Sequence, residues 1–468
     1  MHRWPSGMAT ATIPHELTTL ARRRFNLDDQ VAFAELSGDW NPIHVDAIAA
    51  RRTLFGAPVV HGVHVVLWAI DHIVTAPASI KRLAAVFRRP VMVGDEVTIE
   101  QRSSGWTASV GTDVAVELDL DLQPSTTSHP IVDRAWARRA SDEPSRDDVT
   151  RMRGEVELAV DRALAARLFS RASVPAEQLA ELVATTRIVG MHCPGLHSLL
   201  GKLALEASPT DRTTMSYEVT RAHLHYNQLS MRVVGPSLAG SIDAFLRPAP
   251  CRVAMADALA TVEPSRFANQ RALVVGGSRG LGEAFAKVIA AGGGEVCVTY
   301  HRGARDADQV VADITAVGRT AYALALDVLS PTLVWPLAAP PTHLYYCATP
   351  LLHSIRMGVA WSDAELDLLI RYFVTGLRAT VAAAVACGSP KLVVWTPSTT
   401  MLDRPERGSA YCVAKAAMEE LCRHLPLEFP VDVHAPRLGR VATDQTATLL
   451  TVAAAAPLDI AMAELATL

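Results

Sequence analysis

Two rhythms of apolar residues divide this chain. Runs such as "DEVTIEQRSS" and "WTASVGTDVAVELDLDLQ" alternate apolar with polar positions and are rich in β-branched residues, which predicts half-buried antiparallel strands. Upstream, "VVHGVHVVLWAIDHIV" is apolar on nearly every helical face, as expected of a helix wrapped inside a sheet. A fainter copy of the plan follows. "TMSYEVTRAHLHYNQLSMRVVG" and "AGSIDAFLRP" are strand-like, and "MHCPGLHSLLGKLALEAS" stands where a second buried helix is expected. An internal duplication accounts for this repetition. From residue 271 the rhythm changes: "RALVVGGSRGLGEAFAKVIAAGGGEVCVTY" spells strand, Gly-rich turn, helix and strand, the opening of a parallel α/β sheet.

Polar stretches at 140–148 ("ASDEPSRDD") and 261–271 ("TVEPSRFANQR") are candidate linkers. They leave three blocks, 1–145, 150–260 and 271–468, each of a size that buries its own core. The expected architecture is therefore α+β in the first two blocks and a doubly wound α/β sheet in the third.

Charge narrows the functional classes. Lys+Arg 44 against Asp+Glu 48 gives a net of -4, without the basic stripe that nucleic-acid binding requires. The Arg22–Arg24 triplet is expected on a solvated face. Seven cysteines lie scattered with no CxxC pair, the usage of reduced thiols in a cytoplasmic protein. "MHRWPSGMATATIPHEL" lacks the apolar run of a signal peptide, and Met8 offers an alternative start. Apolar stretches such as "ATVAAAVACG" are shorter than the roughly 18 residues of a membrane span, so no membrane association is expected. The oligomeric state stays open, a homodimer included.

The polar cluster "LSGDWNPIHVD" (residues 36–46) interrupts apolar sequence on both sides. Asp-x-Asn-Pro is turn chemistry. One carboxylate and one histidine are too few for zinc, which takes three or four ligands. The third reading is an acid/base dyad of Asp39 and His44. It gains from "FGAPVVHGVHVVL", which places Gly62 at the start of the buried helix, where free backbone N–H groups stabilise a developing oxyanion. A dyad and an oxyanion site are the parts needed to add or remove water across a double bond conjugated to a thioester.

"FAELSGDWNPIHVD", "FGAPVVHG" and "FRRPVMVGDEVTI" together resemble the MaoC-like, R-specific enoyl-CoA hydratases of the hotdog fold. The resemblance implies that Asp39 and His44 hold the reacting water, that Asn41 supports the loop, and that the Gly62 N–H polarises the thioester carbonyl. Ile70 stands where that family often has a small hydroxylated residue. Residues 150–260 look like a diverged second hotdog without the dyad loop, with His192 and His197 taken as structural. The expected arrangement is an internal pseudo-dimer with one hydratase site per chain.

In the third block, Gly276, Gly280 and Gly282 have the spacing of a loop that lets a pyrophosphate approach a helix N-terminus, with Ser278 between them. No acid ends the following strand. Arg302 there and Arg279 in the loop favour the extra phosphate of NADPH. Tyr411 and Lys415 are four apart on a predicted helix and share a face. With Ser398 upstream, the set resembles the short-chain dehydrogenase/reductases, β-ketoacyl reductases in particular, over 271–446. That resemblance implies that Tyr411 protonates the carbonyl oxygen, Lys415 lowers its pKa, Ser398 positions the carbonyl, and Asp327 sits near the adenine. The chain departs from the pattern at Cys347–Pro350, where an Asn-Ala-Gly-like turn is usual, and at Phe373, where a relay Asn is usual. Three functions compete: a bifunctional NADPH-dependent 3-oxoacyl reductase and 3-hydroxyacyl dehydratase acting on CoA or carrier-protein thioesters, a hydratase alone with a degenerate nucleotide- or partner-binding domain, and, disfavoured by the intact dyad, a non-catalytic acyl-thioester binding module.

Overall fold

The computed structural model describes residues 18–125, 130–169, 174–350, 352, 361–404, 409–449 and 452–468. Met8 and the start of the chain lie outside these residues. Two compact units emerge. The first holds the described residues up to Asp46 together with Pro58–Arg247, and the second holds Ala47–Ala57 with Pro248–Leu468.

The first unit is built on one ten-stranded sheet. Its strands are β1 (Thr18–Arg24), β2 (Ala78–Phe87), β3 (Glu96–Gln101), β4 (Trp106–Val110), β5 (Asp113–Pro124), β6 (Arg153–Glu157), β7 (Ser198–Ala207), β8 (Thr214–His223), β9 (Gln228–Val234) and β10 (Leu238–Leu246). The spatial order is β1-β3-β4-β5-β2-β7-β10-β9-β8-β6. The second five strands repeat the connectivity of the first five in mirrored order. Every pairing is antiparallel, and β2 meets β7 at the centre, from Arg82 opposite Glu206 to Val86 opposite Lys202.

Each half carries one buried helix between its first two strands. Gly62–Ile73 buries Val63 to Asp71 without a break, as its all-round apolar sequence requires. Its counterpart is Ala176–Arg187, prolonged by a π turn at Ile188–His192. The helix expected at "MHCPGLHSLLGKLALEAS" is therefore misplaced: Ser198–Ala207 of that run is strand β7. Its alternation of buried Leu203 and Leu205 with exposed Lys202 and Glu206 has the two-residue period of a half-buried strand. One apolar core joins both halves, from Phe25 and Phe33 to Met231 and Ile242. The stretch 140–148 is no free linker. Asp142 N–H donates to Met191 O at 2.9 Å and Leu196 N–H to Asp142 O at 2.8 Å.

The second unit is a six-stranded parallel sheet in the order Ala321–Ala325, Glu295–Tyr300, Arg271–Val275, His343–Tyr346, Leu392–Trp395, Val431–His434. In chain order this is 3-2-1-4-5-6, the doubly wound arrangement whose ligand crevice opens where the order reverses. Asp363–Ala386 is continuously helical with a π turn at Arg371–Gly376, and is long and apolar enough to cross a membrane by length and composition. The expectation that every apolar stretch falls short is corrected here. In the fold, its Leu369, Phe373, Leu377, Val381 and Ala384 are buried in the α/β core.

Candidate active sites

The dyad loop is ordered by its own polar residues. Gly38 ends the helix Leu27–Ser37 in a left-handed conformation (φ 75°), a position that suits glycine. Asn41 then caps the one-turn helix Pro42–Val45 by accepting from Ile43 N–H. Asn41 Nδ2 reaches the turns that precede β7, donating to Gly190 O (3.0 Å), Leu196 O (3.2 Å) and Gly195 O (3.3 Å). His44 Nδ1 lies 2.7 Å from Val59 O. A carbonyl accepts only, so Nδ1 carries the proton and Nε2 keeps its lone pair.

Asp39 is fully buried. Burial pushes its carboxyl above the ordinary value, opposed by the His44 charge, the Thr186 hydroxyl and the Asn41 N–H. Burial pushes His44 down, opposed by Asp39 and by the Val59 carbonyl. The two proton affinities therefore approach each other. Gly62 opens the buried helix after the N-cap His61, so its N–H lies in the first turn, where no intrahelical acceptor exists. A Cβ on Gly62 would come within 2.7 Å of the Phe87 ring, which closes on this turn. Ile70 is buried in the core.

Thr186 and Gly190 carry no signal in the sequence, and His61 lies inside the motif "FGAPVVHG", which by itself does not single it out. Thr186 Oγ1 donates to Asp39 Oδ2 at 2.6 Å. A Cβ on Gly190 would overlap the Asp39 carboxylate, so the π turn approaches the dyad only because position 190 is glycine. His61 stacks on His44 with ring centroids 3.8 Å apart. Its Nδ1 lies 3.0 Å from Gln30 Oε1 and its Nε2 3.0 Å from Asp39 O. Asp39, His44 and His61 bring one ligand atom each within 4.8 Å of one another. Both His61 nitrogens are already engaged, which leaves a metal ion two ligands without rearrangement, below what zinc takes. His192 and His197 lie elsewhere, against Asp142 (3.1 Å) and Glu143 (2.8 Å).

In the second unit the glycine loop is shaped for close approach. Gly276 (φ 76°) and Gly280 (φ 60°) are left-handed, and a Cβ on Gly282 would overlap Gly276 O. Ser278 is buried in this loop and Arg279 precedes the first turn of the helix Gly280–Ala291 without a side-chain cap. Arg279 donates to Arg51 O and lies 4.0 Å from Asp444. Arg302 is exposed just beyond the strand Glu295–Tyr300. Asp327 Oδ1 accepts from Leu329 N–H (2.9 Å), and its Oδ2 lies 4.0 Å from His301. A loop whose backbone is bare at these positions fits a dinucleotide pyrophosphate.

Tyr411 and Lys415 share a face of the helix Ala410–Glu428, with Lys415 Nζ 5.8 Å from the Tyr411 ring centre. Lys415 donates to Pro397 O at 2.6 Å and stands 4.0 Å over the Phe373 ring. Burial lowers the ammonium to about 7 and raises the Tyr411 phenol to about 12. The expected lowering of Tyr411 by Lys415 is thus outweighed by burial of both groups. Ser398 donates to Glu419 Oε1 at 2.5 Å rather than to Tyr411, and Glu419 is held by Arg437 at 2.7 Å. Phe373 meets Tyr411 edge-on, centroids 5.7 Å apart.

Comparison with known proteins matches the dyad loop and the glycine loop to families. Residues 9–122 match the MaoC like domain, and residues 270–336 match the short chain dehydrogenase family. The chain thus joins a MaoC-like dehydratase domain of hotdog fold to a short-chain dehydrogenase domain. The (R)-specific enoyl-CoA hydratase of Aeromonas caviae is 38% identical over 82 residues, 17% of this chain and 61% of that protein. The 3-oxoacyl-[acyl-carrier-protein] reductase of Synechocystis sp. is 29% identical over 192 residues, 38% of this chain and 77% of that protein. A short-chain dehydrogenase from Burkholderia cenocepacia J2315, solved in complex with NADP, overlays 42% of this chain and 90% of its own at 24% identity, with a TM-score of 0.35. The chain spans between 46% and 61% of the length of the curated hydratase and dehydratase relatives that match its N-terminal region.

Proposed function

We propose that the chain is a bifunctional acyl-thioester enzyme. It interconverts 2-enoyl and (R)-3-hydroxyacyl thioesters at the Asp39–His44 pair and reduces 3-oxoacyl thioesters with NADPH at Tyr411 and Lys415. The first unit acts as two hotdog units fused in one chain, with one hydratase site. The observation that carries the reading is the buried dyad: Val59 O holds the proton of His44 Nδ1, so that proton exchange falls to Nε2, and Thr186 and Asn41 hold Asp39 from either side. The substrate is a CoA or carrier-protein thioester, the class on which the relatives act by name, and the protein works in the cytoplasm.

Hydration needs the pair to hold one proton. One member takes a proton from water as its oxygen attacks C3, and the other delivers its proton to C2. Burial, by raising Asp39 and lowering His44, lets a single proton sit on either. The Gly62 N–H polarises the thioester carbonyl as charge develops on it. In the second unit Gly276, Ser278, Gly280 and Gly282 would hold the dinucleotide, whose chemistry would be hydride supply to the C3 carbonyl. Tyr411 delivers the proton to the carbonyl oxygen.

A second reading, hydratase alone, is favoured by the Tyr411 environment: Ser398 and Lys415 are engaged elsewhere and Phe373 fills the relay position. Purified protein given a short 3-oxoacyl thioester and NADPH separates the two by product mass spectrometry. Hydroxyacyl and enoyl products that vanish in Tyr411→Phe are expected. Unchanged substrate, with enoyl hydration intact, leaves the second reading standing.

A further inference from the structure

The segment Ala47–Ala57 lies within the region matched by the MaoC family, yet it is part of the compact unit formed by Pro248–Leu468. Arg52 anchors it there. Its 5%-exposed side chain donates to Cys251 O (2.8 Å) and meets Asp306 (3.2 Å), Asp444 (3.4 Å) and Glu283 (3.7 Å). The segment's backbone is tied down as well, because Arg279 donates to Arg51 O. Arg51 is therefore held at the glycine loop by contacts that do not use its own guanidinium.

That guanidinium is in an unusual position. Arg51 Nη1 is buried and meets no hydrogen-bond acceptor. It lies 3.0 Å from the point where a Gly303 Cβ would stand, and Ser278 Oγ lies 3.6 Å from the same point. Gly303 follows Arg302 at the end of the strand Glu295–Tyr300. In doubly wound sheets that strand end receives the adenosine ribose. The charge of Arg302 also reaches Arg51. Asp306 is the near counter-charge, its Oδ1 turned to Arg52 and its Oδ2 3.2 Å from the Gly303 point. With three carboxylates gathered on Arg52, the guanidiniums of Arg51, Arg279 and Arg302 leave positive charge in excess. A buried guanidinium nitrogen without an acceptor is costly unless an anion satisfies it.

We propose that Arg51 is a specificity-determining residue of the nucleotide site, binding the adenosine 2′-phosphate of a NADP-type dinucleotide together with Ser278 and Arg302. A segment encoded within the hydratase region thus completes the cofactor site of the reductase unit. The inference rests on the dinucleotide reading above, but it does not require the reductase to turn over.

The test is calorimetric binding of 2′,5′-ADP and 5′-AMP to the full chain, wild type against Arg51→Gln. These probes differ by the 2′-phosphate alone. Wild type is expected to prefer 2′,5′-ADP, and Arg51→Gln to weaken it by about 10-fold or more while 5′-AMP is unchanged. Equal weakening of both nucleotides, or a preserved preference, overturns the assignment of Arg51 alone. A wild type without preference overturns it together with the NADP reading. Should Arg51→Gln not fold, Arg51→Lys serves: it keeps the charge, loses the planar fork, and is expected to show a smaller loss selective for 2′,5′-ADP.

Discussion

Thr186 is the residue on which the dyad's pH behaviour turns. Its hydroxyl donates to Asp39 Oδ2 and favours the carboxylate against burial. Thr186→Val keeps the shape and removes that bond, so the proton affinity of Asp39 rises. A pair that must hold one proton then gains its second at a higher pH. Because one proton is shared between the two groups, both limbs of the hydratase kcat/KM profile should move up, their shifts adding to roughly one pH unit. A profile unmoved on both limbs would mean that Thr186 does not act on the reacting carboxylate. The dyad itself was legible because Asp39, Asn41 and His44 lie in one short loop. Thr186 was not, because a lone threonine 147 residues away acquires meaning only when the chain folds it back.

At the scale of elements, the helix Ala176–Arg187 and its π turn do two jobs. The π turn brings Gly190 against the Asp39 carboxylate, where a methyl group would overlap it. Gly190→Ala is expected to cut enoyl hydration by at least about 10-fold, since a displacement of about an ångström at a reacting group costs more than that. The measurement is initial rate together with thermal melting. A variant that melts early and keeps its specific activity would place Gly190 in stability alone.

The same helix buries Glu181, whose carboxylate accepts from Ser237 N–H (3.0 Å) and Leu238 N–H (2.9 Å). Burial raises it from 4.5 to about 7. The folded state therefore holds a proton that the unfolded state releases. That contribution is fully present below about pH 4.5 and lost as pH rises through about 7. Glu181→Gln should flatten the stability change between pH 5 and pH 8, a difference on the order of 3 kcal/mol, in urea unfolding followed across pH. A slope identical to wild type would show that Glu181 is ionised throughout. The helix escaped the sequence reading because "AEQLAELVATTR" mixes polar and apolar residues as a surface helix does; its polar groups are buried because Glu181 and Gln178 cap strand backbone at Leu238 and Ile80.

For the whole molecule, the two proposed activities would share a hydroxyacyl intermediate. Asp39→Asn lacks the dyad, and Tyr411→Phe lacks the reductase proton donor. Neither alone should convert a 3-oxoacyl thioester with NADPH to the enoyl product, each site losing about 10²- to 10⁴-fold. Mixed, they should restore enoyl formation if the intermediate passes through solution, followed by mass spectrometry over time. Enoyl product from Tyr411→Phe alone would remove Tyr411 from the pathway. The outcome also weighs the hydratase-only reading, because a reductase unit that does not turn over yields no complementation in any mixture.

The sequence by itself determined the two sheet types, the dyad loop, the glycine loop and the Tyr411–Lys415 face. Each of these is written within a window of a few residues to a few turns, where periodicity and turn chemistry act directly. Only the tertiary structure decided which residues complete them. The mirrored halves of the sheet bring Thr186 and Gly190 to Asp39, Glu419 draws Ser398 away from Tyr411, and Arg52 carries Arg51 to the glycine loop. These are contacts between distant positions made by burial and hydrogen-bond satisfaction, and no local pattern in the chain encodes them.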